Sequence, residues 1–159
     1  MTVEAARLLD HDQPREERLV VAFTQVMGFA KACLSKTDEA IVQTLDRYYE
    51  IVTAAVDGAG GVVVKFIGDA SLVIFLPERA ADGVAALHEI RDAATRVWAG
   101  FDSSCEVAAN AAIGTVMCGP VGPGATRRFD VIGKLVNEVA RMPWGGVTLS
   151  QQLRELVEG

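Results

Sequence analysis

The residues Gly60–Phe75, GGVVVKFIGDASLVIF, constrain this chain more than any other stretch. Two apolar, β-rich runs, Val62–Ile67 and Leu72–Phe75, flank a Gly68-Asp69 pair, a strong short-range signal for a tight hairpin. Charge stands where a core strand should have none: Lys65 lies inside the first run and Asp69 at the turn. Buried or half-buried charges are rare unless they are paired or bound to something, so the hairpin tip is a candidate site.

The rest of the chain arranges itself around that hairpin. Met1–Glu17 reads as a lead-in with about two helical turns at Val3–Leu9, and residues 18–159 as one domain. Leu19–Phe23 is a short apolar strand followed by the polar pair Thr24-Gln25. From Phe29 to Ala59 the apolar positions Ile41, Leu45, Tyr48, Tyr49, Val52 and Val56 recur at helical spacing, with Thr37-Asp38-Glu39 as a start signal. After the hairpin, Pro77 opens a second amphipathic helix that runs to Gly100. Glu106–Val116 reads as a strand, Cys118–Thr126 as a Gly/Pro-rich loop and Phe129–Ile132 as a strand. Lys134–Met142 reads as a helix stopped by Pro143; Val147–Leu149 is a last strand, and Ser150 caps a helix over Gln151–Val157. This order predicts an α/β (α+β) fold: a ferredoxin-like βαββαβ core, helices packed on an open, mainly antiparallel sheet, and a C-terminal extension of strands and helices.

Composition removes several function classes. Fifteen Lys plus Arg against twenty-one Asp plus Glu give a formal charge of −6, which argues against broad binding to nucleic acid or anionic lipid. Cys33, Cys105 and Cys118 have neither a C-x-x-C spacing nor an even count, so they read as reduced packing residues. Val107–Thr126 carries no charge but contains Gly114, Gly119, Pro120, Gly122, Pro123 and Gly124, too many breaks for a membrane span. The start MTVEAARLLD is charged too early for a signal peptide, and a cytoplasmic location is expected. His11 and His88 are isolated and carry no assigned chemistry.

Asp69 alone implies only a turn. It gains meaning from Asp130 inside an apolar strand, FDVI, and from Asn137 and Arg141, four residues apart on one helix face. An amide beside a guanidinium is a donor pair suited to phosphate oxygens; the plainer reading is an exposed Arg near an amide. Arg127 and Arg128 fit either a phosphate contact or solvated charge at a loop end.

The segments V-A-F-T-Q-V-M-G-F, K-F-I-G-D and R-R-F-D-V-I-G-K-L-V-N-E-V-A-R resemble the three signature regions of the class III adenylate and guanylate cyclase catalytic domain, over about Arg18–Leu149. The resemblance implies a head-to-tail pair of chains with sites across the interface. One subunit would bring two metal-holding aspartates, the other a base-reading Lys and Asp with an Asn and Arg for the ribose and phosphates. Carried onto this chain, Asp69 matches the second metal aspartate, Lys65 and Asp130 the base-reading pair, and Asn137 and Arg141 the catalytic pair. A lysine donating to a ring nitrogen and a carboxylate accepting from an exocyclic amine select adenine over guanine, so the implied substrate is ATP and the product cyclic AMP plus pyrophosphate.

The departure is Gln25, where the family pattern has its first metal aspartate; a smaller one is Lys134, where an acidic residue is common. Two-ion chemistry with Mg²⁺ or Mn²⁺ relies on carboxylates, and a neutral amide is a weaker ligand. A homodimer carries the same defect at both sites, whereas a heterodimer with an Asp-bearing chain does not. Two expectations follow: a cyclase that is weak or inactive as a homodimer, or a nucleotide-binding, dimerising pseudo-enzyme in signalling.

Overall fold

The computed structural model describes residues 1–159. The elements are α1 (Val3–Leu9), β1 (Arg15–Met27), α2 (Phe29–Cys33), α3 (Asp38–Gly58), β2 (Val62–Ile67), β3 (Ala70–Phe75), α4 (Ala80–Phe101), β4 (Glu106–Val121), β5 (Arg128–Ile132), α5 (Lys134–Arg141), β6 (Val147–Leu149) and α6 (Gln151–Glu158). The strand order is β2-β3-β1-β4-β5, with β6 added in parallel to β4. This is the mixed α/β fold expected from the sequence, with its antiparallel βαββαβ core and its extension.

β1 is the centre of the sheet, bonded to β3 from Val20↔Phe75 to Gln25↔Ala70 and to β4 from Arg15↔Cys118 to Met27↔Glu106. Strand alternation then sends its residues to two layers. Val20, Ala22 and Val26 join Tyr48 and Val52 of α3 and Leu87, Ile90 and Trp98 of α4. Leu19 and Val21 face the other way, onto Ala5 and Leu8 of α1 and Val139 of α5. The helix starts follow their capping chemistry: Thr37 Oγ1 accepts from the Ala40 N–H at 3.1 Å, and Ser150 Oγ from the Leu153 N–H at 3.3 Å.

Two strands are longer than the sequence suggests. β1 begins at Arg15, inside the stretch read as lead-in, and β4 runs to Val121 through Gly119 and Pro120, which read as loop. Local breakers lose to pairing here. Past Cys118, β4 has β5 on one side and no register partner on the other, so a missing proline N–H costs no second ladder bond. The three cysteines are free thiols, as read. No helix is long and apolar enough to cross a membrane.

Phe75, at the end of β3, is fully buried between two glycines. A Cβ at Gly61 would lie 2.5 Å from its ring and one at Gly83 2.7 Å, whereas one at Gly100 meets nothing within 4 Å. Within α4, Ala in place of Gly favours the helix by about 1 kcal/mol, but forcing a methyl into a filled core costs about 1–3 kcal/mol. Gly83→Ala should therefore lower the urea midpoint, for a net loss of about 1 kcal/mol, while Gly100→Ala should raise it.

Candidate active site

β2 and β3 close through a two-residue turn, since Ile67 pairs with Ala70. Gly68 takes φ +59° and Asp69 stays at negative φ, the pattern of a type II′ turn in which glycine occupies the left-handed position. Helix α3 grips this turn. Tyr49 Oη donates to the Gly68 carbonyl at 2.5 Å, and its ring stacks on Phe66 with centroids 3.9 Å apart.

Below the turn lies a buried hydroxyl cluster. Thr24 of β1 hydrogen-bonds Ser71 Oγ of β3 at 2.5 Å and the Tyr48 hydroxyl of α3. Burial pushes the Tyr48 phenol well above its ordinary value, against the opposing pull of its bonds to Thr24 and Ser71, so it stays neutral and able to donate. A fully satisfied buried network of this kind locks three elements together under the candidate site.

Asp69 is half-buried at the tip. Its backbone carbonyl accepts from the Val26 N–H at 3.3 Å, which ties the turn to the end of β1. Burial raises its carboxyl above the usual carboxylate range, while the backbone N–H groups of Asp69 and Val26 act in the opposite direction. Gln25 pairs in register with Ala70, so it stands beside Asp69 on the neighbouring strand; by alternation it belongs to the face of Leu19 and Val21. No group of three or more His, Cys, Asp or Glu residues is placed to hold a metal. One carboxylate and one neutral amide suit a single, weakly held hard cation whose remaining ligands come from water or phosphate, and fall short of a two-ion site.

Lys65 and Asp130 meet. The register of β2 slips between Val63, opposite Val73, and Lys65, opposite Leu72, so Val64 is a bulged residue. That single extra residue turns Lys65 from the Val73 face to the Leu72 face. There its Nζ lies 3.2 Å from Asp130 Oδ2, while the Val131 N–H donates to Asp130 Oδ1 at 2.8 Å. β2 and β5 are the two ends of the strand order, and the sheet curls enough to bring them into contact.

Asn137 and Arg141 project from α5, four residues apart and exposed. Arg141 enters none of the chain's ion pairs. The structure thus brings Lys65 and Asp130 into contact, sets Gln25 on the strand beside the Asp69 turn, and carries Asn137 and Arg141 on one helix, with no ion pair or hydrogen bond within the last two couples or between any of the three. Arg127 and Arg128 are spent on carbonyls: Arg127 donates to Gly122 and Asp12, and Arg128 to Ala125 and to Arg127 itself. They staple the loop. The turn-gripping Tyr49 and the Thr24–Ser71–Tyr48 cluster were not recognised in the sequence, where the two tyrosines read as helix-face positions; the signal was Thr24, a polar residue next to an apolar strand.

The adenylate and guanylate cyclase catalytic domain profile matches residues 12–157, and the chain belongs to that family. Two uncharacterised proteins of Mycobacterium tuberculosis are 32% identical over 145 residues and 33% identical over 132 residues, covering 87% and 80% of this chain. The chain spans about a quarter of the length of these relatives (25% and 24%). Among solved structures, the adenylyl cyclase CyaB from P. aeruginosa superimposes with a TM-score of 0.84 at 19% identity, over 92% of this chain and 83% of that one. The guanylate cyclase domain of RhGC from Catenaria anguillulae, solved with GTP, gives 0.80 at 21% identity over 91% and 85%. At such identities the likeness shows the fold.

The raised Asp69 carboxyl has a stability consequence. An acid whose folded pKa lies above its unfolded one contributes stability that is present below the unfolded pKa and lost as pH rises through the folded one. Asp69→Asn should therefore raise the melting temperature at pH 7 in metal-free buffer, and the gain should vanish below about pH 4, where the carboxyl is protonated in both states.

Proposed function

We propose that this domain binds ATP across the seam of a head-to-tail pair of cyclase-type chains, and that conversion to cyclic AMP and pyrophosphate is weak or absent when both chains carry Gln25. The observation that carries the reading is the Lys65–Asp130 pair, a donor and an acceptor delivered to one place from opposite ends of the strand order. Held at that spacing, the ammonium donates to the adenine ring nitrogen and the carboxylate accepts from the exocyclic amine; guanine offers a carbonyl to Asp130 and is disfavoured. Asn137 and Arg141 of that same chain then meet the ribose and the phosphates, opposite the metal-holding residues of the other chain. The guanidinium, with its fixed fork of donors, suits charge developing on phosphate oxygens as the ribose 3′-oxygen attacks the α-phosphorus and pyrophosphate leaves.

Asp69 and Gln25 would hold a divalent cation, Mg²⁺ or Mn²⁺, whose contribution is positive charge on the triphosphate. The donor set favours one ion over two. A heterodimer with a chain bearing aspartate at the position of Gln25 would have one site with a full carboxylate set. A second reading, a nucleotide-binding pseudo-enzyme that regulates a partner, is favoured by Gln25 itself.

Cyclic AMP formation with Mn²⁺, measured on the wild type and on Gln25→Asp, separates the two. The variant should gain at least about tenfold, equivalent to about 1.4 kcal/mol of barrier. Robust turnover by the wild type would reject the incomplete site. The base reading is tested by Lys65→Glu with Asp130→Cys, expected to move nucleotide preference from ATP toward GTP; an unchanged preference means the two roles are misassigned.

A further inference from the structure

β4 contains the run Val107–Ile113, VAANAAI, in which one amide, Asn110, stands among small apolar residues and is fully buried. An amide without solvent needs partners. Asn110 Nδ2 donates to two carbonyls near the end of α5, Val139 O at 3.1 Å and Met142 O at 3.0 Å. Its Oδ1 is buried and has no partner. Flipping the amide would set oxygen against two carbonyl oxygens, so the carbonyls alone dictate its orientation.

Without Asn110, Val139 O has only the Met142 N–H, at 3.3 Å, and Met142 O has no backbone donor. α5 has eight residues, too few to be stable alone, and the last carbonyls of a helix have no partner of their own. No glycine closes it: Met142 is extended and Pro143 follows. Asn110 is a cap lent by the strand below. A leucine of similar size would avoid the stranded Oδ1 but would leave Met142 O unmet and Val139 O with only the Met142 N–H, at 3.3 Å. The two clamped carbonyls bracket Arg141, and Asn137 lies one turn earlier, so the clamp fixes the backbone from which both side chains depart.

We propose that Asn110 is a positioning residue that holds Asn137 and Arg141 in their phosphate-facing geometry through the C-terminal end of α5. This rests on the phosphate role proposed for α5 above. Asn110 touches no substrate itself; its effect passes entirely through the two carbonyls.

The test is a double-mutant cycle on the full chain, titrating a non-hydrolysable ATP analogue in Mn²⁺ calorimetrically, with amide exchange read over residues 140–144. Asn110→Leu should weaken the analogue about tenfold in the wild-type background, but less than about twofold when Arg141 is already Ala. It should also speed exchange at the end of α5. An equal loss in both backgrounds, or unchanged affinity in a folded variant, overturns the positioning role. Unchanged exchange overturns the clamp whatever the nucleotide does, leaving the proposed function standing. A wild type that binds no analogue, with exchange still accelerated in the variant, instead sinks the proposed function and the positioning role that rests on it. Should Asn110→Leu fail to fold, Asn110→Ser, which keeps one donor, carries the same cycle with a smaller expected loss.

Discussion

The pairing of β1 with β4, unbroken from Arg15↔Cys118 to Met27↔Glu106, is the constraint on which everything else depends. It sets which residues of β1 face α3 and α4 and which face α5, and every candidate site residue is placed by reference to it. Gln25 lies near one end of this ladder, beside the hairpin turn through its other register with Ala70. At the opposite end, β4 continues past its last β1 partner and carries β5 outward, and Asp130 with it. A slip of one residue in this ladder would send Gln25 into the α3–α4 core and bring Thr24, with its hydroxyl partners, to the other face.

The two charges that meet across the curled sheet are well suited to exchange partners. Side-chain exposures of 44% and 25% put Lys65 and Asp130 within reach of water, where an ion pair contributes at most about 1 kcal/mol. Breaking it therefore costs little, while the backbone that positions it, a bulge on β2 and the β4–β5 ladder on the other side, does not have to move. Rigidity lies in the main chain and adaptability in the side chains. The hairpin shows the same division: Tyr49 and the Thr24–Ser71–Tyr48 hydroxyls fix the turn, and the Asp69 carboxylate is left half-open to a ligand.

Much of this was legible in the chain. Hydrophobic period, turn chemistry and capping residues gave the element order, because α3, α4 and the hairpin are each consistent at every local level. What escaped was set by pairing rather than by local preference. Gly119 and Pro120 read as loop but lie in β4, since a strand partnered on one side tolerates a proline. The bulge at Val64 leaves no composition signal, yet it decides which face Lys65 occupies. Tyr48 and Tyr49 kept helical spacing and looked like core, although their hydroxyls do the anchoring. Asn110 passed as one position of a strand, because its partners on α5 are distant in sequence and could not be read from it.

The character of the site turns on why a neutral residue stands beside Asp69. Burial alone already holds the Asp69 carboxyl above its usual range, a sign that the folded chain disfavours charge there. A second carboxylate on the adjacent strand would add like-charge repulsion, relieved only when a cation sits between them. With glutamine at position 25 the metal-free domain avoids that repulsion, at the expense of cation affinity.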